Sequence, residues 1–374
     1  MASISPTLYS PGVGSGLDVK SLVAQLVAVE RIPLQGMQAA AAGLNTKLSV
    51  VGQIKSYLSV FRDAAAALAN ADTWKAASAT SSNSAIVSAT TSAGAATGTY
   101  TVAVGTLAAS QSNATTAVAA STTTIGQGSL TIDLGAWNST DTAFTVKSGS
   151  SPIVINIGPG QDTLAGIRDQ INAANQGVSA SIVTDGSGAR LVLNGKSTGA
   201  ENGFRITVTD NDGVDDDNEG LSRLAYDPAT SINSMTRNLK AADLSATINN
   251  LPVSSTTNQV SGAIAGVNLN FLQTTVSPAT VSISVSNDTA AMTKSVQNFA
   301  KAFSDLTSYL ASQTKYDDVA KRGGPMQGDS AVVGLYNRLR GLLGAAGTAS
   351  SAYARLSDVG LELQRDGSIV VNQT

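Results

Sequence analysis

Gly14-Ser15-Gly16-Leu17-Asp18 leads into Val19, Leu22, Val23, Leu26 and Val27. These apolar positions recur with the period of one helix face. Asp18 stands where its carboxylate can accept the orphan N–H groups of a first turn. Pro33 is expected to break this helix and open a second one, since proline fits a first turn but not an interior. The second pattern runs Leu34, Met37, Ala41, Leu44, Leu48 and Val51, with the 3-4-3-4-3 steps of a heptad seam. One three-residue step to Ile54 breaks the register, a stammer. The spacing then resumes through Leu58, Phe61, Ala65 and Leu68.

A seam needs a partner, and the far end of the chain supplies one. Asp288 can cap a helix carrying Met292, Val296, Phe299, Phe303, Leu306 and Leu310, again at heptad steps. The expected seam therefore joins Leu44, Leu48, Val51, Leu58 and Phe61 to Val296, Phe299, Phe303, Leu306 and Leu310. The middle of the chain must loop out between the two ends.

Composition narrows the function. Of 374 residues only 13% are charged, and the net charge is −3, so no basic surface invites nucleic acid or anionic membrane. No run approaches the ~18 apolar residues of a membrane span. Aromatics are 4%, too few for a deep stacking cleft. The chain has neither cysteine nor histidine. That removes the thiolate nucleophile, the commonest general base and the commonest metal ligands. No Lys sits in a Ser-x-x-Lys nucleophile motif with clear context, and carboxylate pairs alone do not make a case for an enzyme. No cationic, apolar leader opens the sequence, so if the chain leaves the cell it is expected to do so without a cleaved signal.

The middle of the chain reads as light β-structure. Residues 1–16 read as disordered. After Trp74 the period drops to two, as at Tyr100, Val102 and Val104. Residues 110–128 are Ser/Thr/Ala-rich and suit a domain crossing. Asp162 is expected to cap a short helix bearing Leu164, Ile167 and Ile171, with Gly177 at its stop. Ser179–Val183 and Arg190–Leu193 read as strands joined through Asp185-Gly186-Ser187-Gly188, and Phe204, Ile206 and Val208 as another. Further strands follow at Val267–Phe271 and Val281–Val285. Beyond the long helix, Asp329 caps another with Val332, Leu335, Leu339 and Leu342, and Asp366-Gly367 turns a terminal hairpin.

Two motifs fail on inspection. With Gly213 at position six of an EF-hand loop, Asp210, Asp212 and Glu219 fall at ligand positions, but Val208 would occupy position one and no helix pair flanks it. A solvated acidic loop is expected. Gly12-Val13-Gly14-Ser15-Gly16 has no preceding strand and no sixth-position glycine ahead of Lys20-Ser21, so it is no phosphate loop.

The chain resembles the flagellar filament-cap family, also called flagellar hook-associated protein 2. Gly14 to Asp18 with Leu22-Val23, Leu26-Val27, Glu30 and Pro33 is similar to the family's N-terminal signature. Asp162 to Ile171-Asn172, then Gly177 to Ala180 and Arg190 to Leu193, resembles the flagellin/hook insertion motif. Ala246 to Asn250, Asn258 to Gly262 and Gly266-Val267 resemble the strands returning from the outer domain. Gly328-Asp329, Leu356 to Leu361 and Asp366-Gly367 resemble its second helical region. The family pattern continues into a further long C-terminal helix, whereas this sequence ends at Thr374.

The resemblance implies an α+β multidomain fold: a coiled-coil leg from both chain ends, with two inserted β-rich domains. The expected boundaries are an N-terminal docking segment at 1–32 and a leg at 33–76 and 288–374, with its hairpin at 356–374. An inner β-domain would take 77–115 and 236–287, and an outer one 116–235. Leu17, Val19, Leu22, Val23, Leu26 and Val27 become candidate assembly contacts. The implied partners are further copies of the chain in a ring, usually a homopentamer, together with flagellin, the hook-associated junction proteins and an export chaperone. The implied place is the distal filament tip, reached by the flagellar type III route. No cofactor, metal, nucleic acid or membrane enters. A flagellin or junction protein, and a surface adhesin, are the alternative readings.

Overall fold

The computed structural model describes residues 18–319, 321–345, 353 and 355–372. They divide into two compact units, one from the residues up to Trp74 and from Thr289 onward, the other Lys75–Asp288. The helices among them are α1 (Val19–Ala69), α2 (Ala71–Trp74), α3 (Leu164–Ala174), α4 (Thr289–Thr314) and α5 (Ser330–Gly344).

The Lys75–Asp288 unit is β-rich. Its strands are β1 (Ala77–Ser81), β2 (Val87–Thr91), β3 (Gly98–Thr106), β4 (Ser112–Ala114), β5 (Gly128–Trp137), β6 (Phe144–Val146), β7 (Ile153–Ile157), β8 (Val178–Asp185) and β9 (Gly188–Gly195). After them come β10 (Gly203–Asp210), β11 (Tyr226–Asp227), β12 (Ile232–Asn233), β13 (Thr236–Leu239), β14 (Leu244–Ile248), β15 (Leu251–Ser255), β16 (Gln259–Ile264), β17 (Val267–Phe271) and β18 (Val281–Asn287).

Two apolar cores form inside it. In one, a five-stranded sheet in the order β1-β18-β3-β14-β15 faces a three-stranded sheet, β16-β17-β2. Alternation drives this packing: Val102, Val104, Ala246, Ile283 and Val285 point inward and are buried, against Val87, Leu269 and Phe271. In the other, β12-β11-β10-β5-β6 with β7 packs with α3 and the sheet β13-β4-β9-β8. The chain crosses between the cores where Ala109 bridges Ala242. That lies inside the boundaries expected at 115 and 236, because β4 and β13 pair with each other and β4 pairs with β9.

α3 is capped by Thr163, whose hydroxyl accepts the Gly166 N–H, rather than by Asp162. Asp162 instead accepts from the Gln127 amide. The helix ends at Asn175 in the left-handed region, two residues before Gly177. Asn172, on α3, closes part of the outer edge of β8. Its Nδ2 donates to the Ala180 carbonyl and its Oδ1 accepts the Ala180 N–H, both at 2.8 Å. Bare strand edges invite pairing, and this side chain supplies the missing partner.

Gln111 makes the corresponding join at the crossing. It is fully buried; its Oε1 accepts the Phe204 N–H at 3.0 Å, and its Nε2 donates to the Phe204 carbonyl at 2.8 Å and to Asn113 Oδ1 at 3.1 Å. The Phe204 carbonyl keeps a second donor, Trp137 Nε1, but its N–H has Gln111 as its partner. Gln111→Ala should therefore cost about 2–4 kcal/mol, from a buried orphan N–H plus a cavity. Gln111→Met keeps the volume and should recover part of the loss. Urea melts of both variants separate the two contributions, and a wild-type midpoint for Gln111→Ala would refute the bridge.

Asp141, at the β5–β6 turn, is held by Arg237 and Lys240. The Arg237 guanidinium hydrogen bond chiefly, with Lys240 assisting against partial burial, lowers the Asp141 carboxyl from 3.8 to about 2. A depressed carboxyl stabilises the fold above its unfolded value, and the benefit vanishes as pH falls through the folded value. The cluster should contribute roughly 1–2 kcal/mol at neutral pH after solvent screening. The stability gap between wild type and Asp141→Asn should accordingly close between about pH 4 and pH 2. An undiminished gap at pH 2 would exclude the ion cluster as its cause.

The helical unit adds β19 (Tyr316–Asp317), β20 (Arg322–Gly323), β21 (Leu361–Leu363) and β22 (Ile369–Val371). Asp329 caps α5, accepting the Ala331 and Val332 N–H groups. β21 and β22 form a hairpin whose Gly367 sits at φ +89°, a turn conformation that favours glycine. It docks on α4: the Thr307 hydroxyl donates to the Gly367 carbonyl at 2.9 Å, and the Ile369 N–H donates to the Ser304 hydroxyl at 2.8 Å.

Candidate functional site

α1 runs unbroken through Pro33, so the expected break does not occur. Proline deletes one hydrogen bond to the carbonyl four residues back, and in an exposed stretch water can take that carbonyl. Asp18 caps the helix, its carboxylate accepting the Ser21 N–H at 3.0 Å.

The packing of α1 changes abruptly at Val50. From Val50 to Leu68 one face lies against α4. Val50 and Ile54 are buried with Phe303, Leu306 and Leu310, while Tyr57 and Phe61 pack beside them. Phe61 meets Phe299 and Phe303 with ring centroids 5.4 and 5.6 Å apart, and Tyr57 meets Tyr309 at 5.0 Å. Val50, Ile54, Tyr57, Phe61, Ala64 and Leu68 step 4-3-4-3-4, an uninterrupted heptad seam.

This corrects the expected seam. Phe61, Phe299, Phe303, Leu306 and Leu310 lie in it, and Val296 is half-buried at its end. Leu44, Leu48, Val51 and Leu58 do not. Leu44 is 67% and Leu48 71% exposed, and Val51 and Leu58 are exposed with them. The apparent stammer is the offset between two stripes on one helix. The buried stripe passes through Val50, and the exposed stripe through its neighbour Val51, about 100° away around the axis. At Ile54 the expected pattern passes from the exposed stripe to the buried one, where Tyr57 rather than Leu58 is packed.

From Leu22 to Ser49 every residue of α1 is exposed. Leu22, Val23, Leu26 and Val27 stand on this segment, Leu22 at 45% and Leu26 at 62% exposure, followed by Val29, Ile32, Leu34 and Met37. Val19 opens the helix, and Leu17 lies outside the described residues. At 1.5 Å per residue the bare segment is about 40 Å long. A helix this exposed gains nothing from tertiary packing in one copy, and it leaves an apolar stripe open to solvent.

The acidic loop is organised around its own backbone. Asp210 Oδ2 accepts the Leu221 and Ser222 N–H groups, Asp215 accepts the Asp210 N–H, and Asp217 accepts from Glu219 and Ser222. The Glu219 amide, then the Ser222 hydroxyl, hold the Asp217 carboxyl below its usual range. Among the described residues no group of three His, Cys, Asp or Glu is placed to hold a metal ion, and no helix is long and apolar enough to cross a membrane.

Residues 15–111 match the family profile described as Flagellar hook-associated protein 2 N-terminus, and 241–374 that of its C-terminus. Flagellar hook-associated protein 2 of Escherichia coli K12 is 32% identical over 371 residues, spanning 96% of this chain and 74% of that protein. The chain belongs to the flagellar hook-associated protein 2 family. The B-type flagellar hook-associated protein 2 of Pseudomonas aeruginosa is also 32% identical, over 97% of this chain and 76% of that protein. The crystal structure of the flagellar cap protein FliD D1-D2-D3 domains from Escherichia coli superposes with a TM-score of 0.69 at 30% identity, covering 87% of this chain and 85% of that one. The α+β multidomain architecture with a helical terminal region is thus that of the hook-associated protein 2 family.

The Flagellin hook IN motif matches residues 143–197. It contains α3, β8 and β9, and so includes the Asn172–Ala180 clamp. Sequence reasoning missed Gln111 and Val50, and it named Asn172 only within the insertion motif, without its hydrogen bonds to Ala180. Only Val50 carried a signal, its four-residue step to Ile54; a buried Gln or Asn has no period to betray it.

Proposed function

We propose that this chain is a subunit of the cap at the distal end of the bacterial flagellar filament. The observation that carries the reading is the bare apolar stripe of α1, Leu22 onward, in a chain of the hook-associated protein 2 family. The cap promotes flagellin polymerisation at the tip and prevents loss of monomer. It makes and breaks no covalent bond, so no catalytic group is required.

In this reading copies associate in a ring, a homopentamer as is usual in the family. The inner (77–109, 242–287) and outer (110–241) β-domains form the plate, and the helical ends form the legs. Leu17, Val19, Leu22, Val23, Leu26 and Val27 dock on the filament assembly, where flagellin and the hook-associated junction proteins are the neighbours. An export chaperone and the flagellar type III route bring the chain there. Each leg binds modestly, but in a ring a released leg rebinds at high effective concentration. The cap can thereby shift as subunits enter beneath it and still remain attached.

Deletion of the gene tests the proposal. Cells should grow short filaments or none and release flagellin monomer into the medium. Unchanged filament length and unchanged secreted flagellin would reject it, and electron microscopy of the purified chain would then separate tubes from monomers.

A further inference from the structure

Among the described residues one pair of tyrosines is in ring contact, and it joins α1 to α4. The Tyr57 and Tyr309 ring centroids are 5.0 Å apart, with the planes tilted by 37°. That is near the short end of the ~4.5–7 Å seen for packed aromatic pairs. Buried neighbours fix both rings: Val50 and Ile54 precede Tyr57 on the seam, and Leu306 and Leu310 stand beside Tyr309 on α4. In a close-packed core the rings cannot part unless the seam opens.

The pair is nevertheless open to chemistry. Both rings are half-buried, and neither hydroxyl is a buried atom lacking a partner, so each phenol can pass its proton to water. The chain has no cysteine, so no disulfide can tie the two helices and no thiol diverts an oxidant from the tyrosines.

We propose that Tyr57 and Tyr309 form a modification site, at which one-electron oxidation joins them as a dityrosine and staples α1 to α4. The reactant is an outer-sphere one-electron oxidant, of the class generated from peroxides. Each tyrosine gives one electron to the oxidant and its phenolic proton to water. The two phenoxyl radicals couple through ring carbons ortho to their oxygens, forming one carbon–carbon bond. The hydrogen on each coupled carbon then shifts to the neighbouring oxygen and restores both phenols. The net loss is two electrons and two protons. Coupling is ordinarily limited by the meeting of two radicals, whereas here both arise in one contact, at the effective concentration the seam imposes. The biaryl bond brings the ring centres only slightly closer than they already stand. Unlike a disulfide, it is not undone by thiols. The staple needs no second copy and is independent of the cap reading.

Dilute full-length chain illuminated with ruthenium tris-bipyridyl and persulfate, a one-electron photo-oxidant, provides the test. After trypsin, the expected product joins residues 56–62 to residues 302–315, each of which carries one tyrosine. Its mass should be that of the two peptides less two hydrogens. It should exceed every other tyrosine cross-link by at least about tenfold, because only this pair is preassembled. Tyr57→Phe and Tyr309→Phe keep the rings and their packing, so each should fold as wild type does and yet lose this product. In urea, where the seam is open, the product should disappear. Oxidised wild type should melt in its helical unit on the order of 10 °C above oxidised Tyr309→Phe, since the staple closes a long loop in the unfolded chain. A product that forms equally in urea would overturn the site. Tyrosine cross-links elsewhere or between copies, with Tyr57 and Tyr309 uncoupled, would do the same.

Discussion

Bacteria carrying Leu22→Asp together with Leu26→Asp should grow short filaments or none and shed flagellin into the medium. Both side chains lie on the bare segment of α1, with no burial in the single copy to lose. Their substitution should therefore leave the melting of either unit within about 0.5 kcal/mol of wild type, as expected for exposed positions. The loss appears only on docking. Burying two leucines contributes on the order of 3–6 kcal/mol per leg, and a carboxylate in their place opposes docking outright. Since every leg carries the change, rebinding cannot compensate. Normal filaments in a strain making the double variant at wild-type levels would show that this stripe does not hold the cap.

Phe303→Ala should lower the stability of the helical unit by about 3–5 kcal/mol, the range for a buried aromatic reduced to alanine. Phe303 is fully buried and meets Phe61 edge-on at 5.6 Å, with Val50, Ile54, Leu306 and Leu310 in the same core. That core is small, so few neighbours can close over the cavity. The helical melting transition should fall by roughly 10–20 °C at a few degrees per kcal/mol. The β-rich unit should keep its transition. Leu48→Ala serves as the counterpart: it removes a leucine from the exposed stripe and should be near-neutral. Equal shifts for Leu48→Ala and Phe303→Ala would show that the buried and exposed stripes have been assigned the wrong way round.

Periodicity made the helices, most strands and the terminal hairpin legible. It also located the apolar stripe at Leu22 to Val27, because amphipathic spacing is visible whether or not a partner is present. It could not say which of two overlapping stripes on α1 is buried. Val50 and Val51 are chemically identical, and only the aromatic contacts of Tyr57 and Phe61 with α4 decide between them. Pro33 misled for a related reason: the penalty that breaks a helix is largest when the orphaned carbonyl is buried, and here it is not. Gln111 and Asn172 act through side-chain hydrogen bonds to backbone far along the chain, which no local pattern encodes. The family resemblance supplied what periodicity could not, namely what such a stripe is for.

The strand order of the first β-core has a consequence for timing. β3 lies between β18 and β14, with Val102 paired to both Val281 and Ile248. A chain that emerges amino end first presents β3 long before either neighbour exists. The second core, by contrast, is drawn from one contiguous stretch, Ser112 to Leu239, and can close as soon as that stretch is out. The nascent chain should therefore fold from the inside of its sequence outward, with the later-closing sheet waiting on its last strand. During that wait β3 has two naked edges in a slow, long-range topology, the circumstance in which wrong pairings compete best.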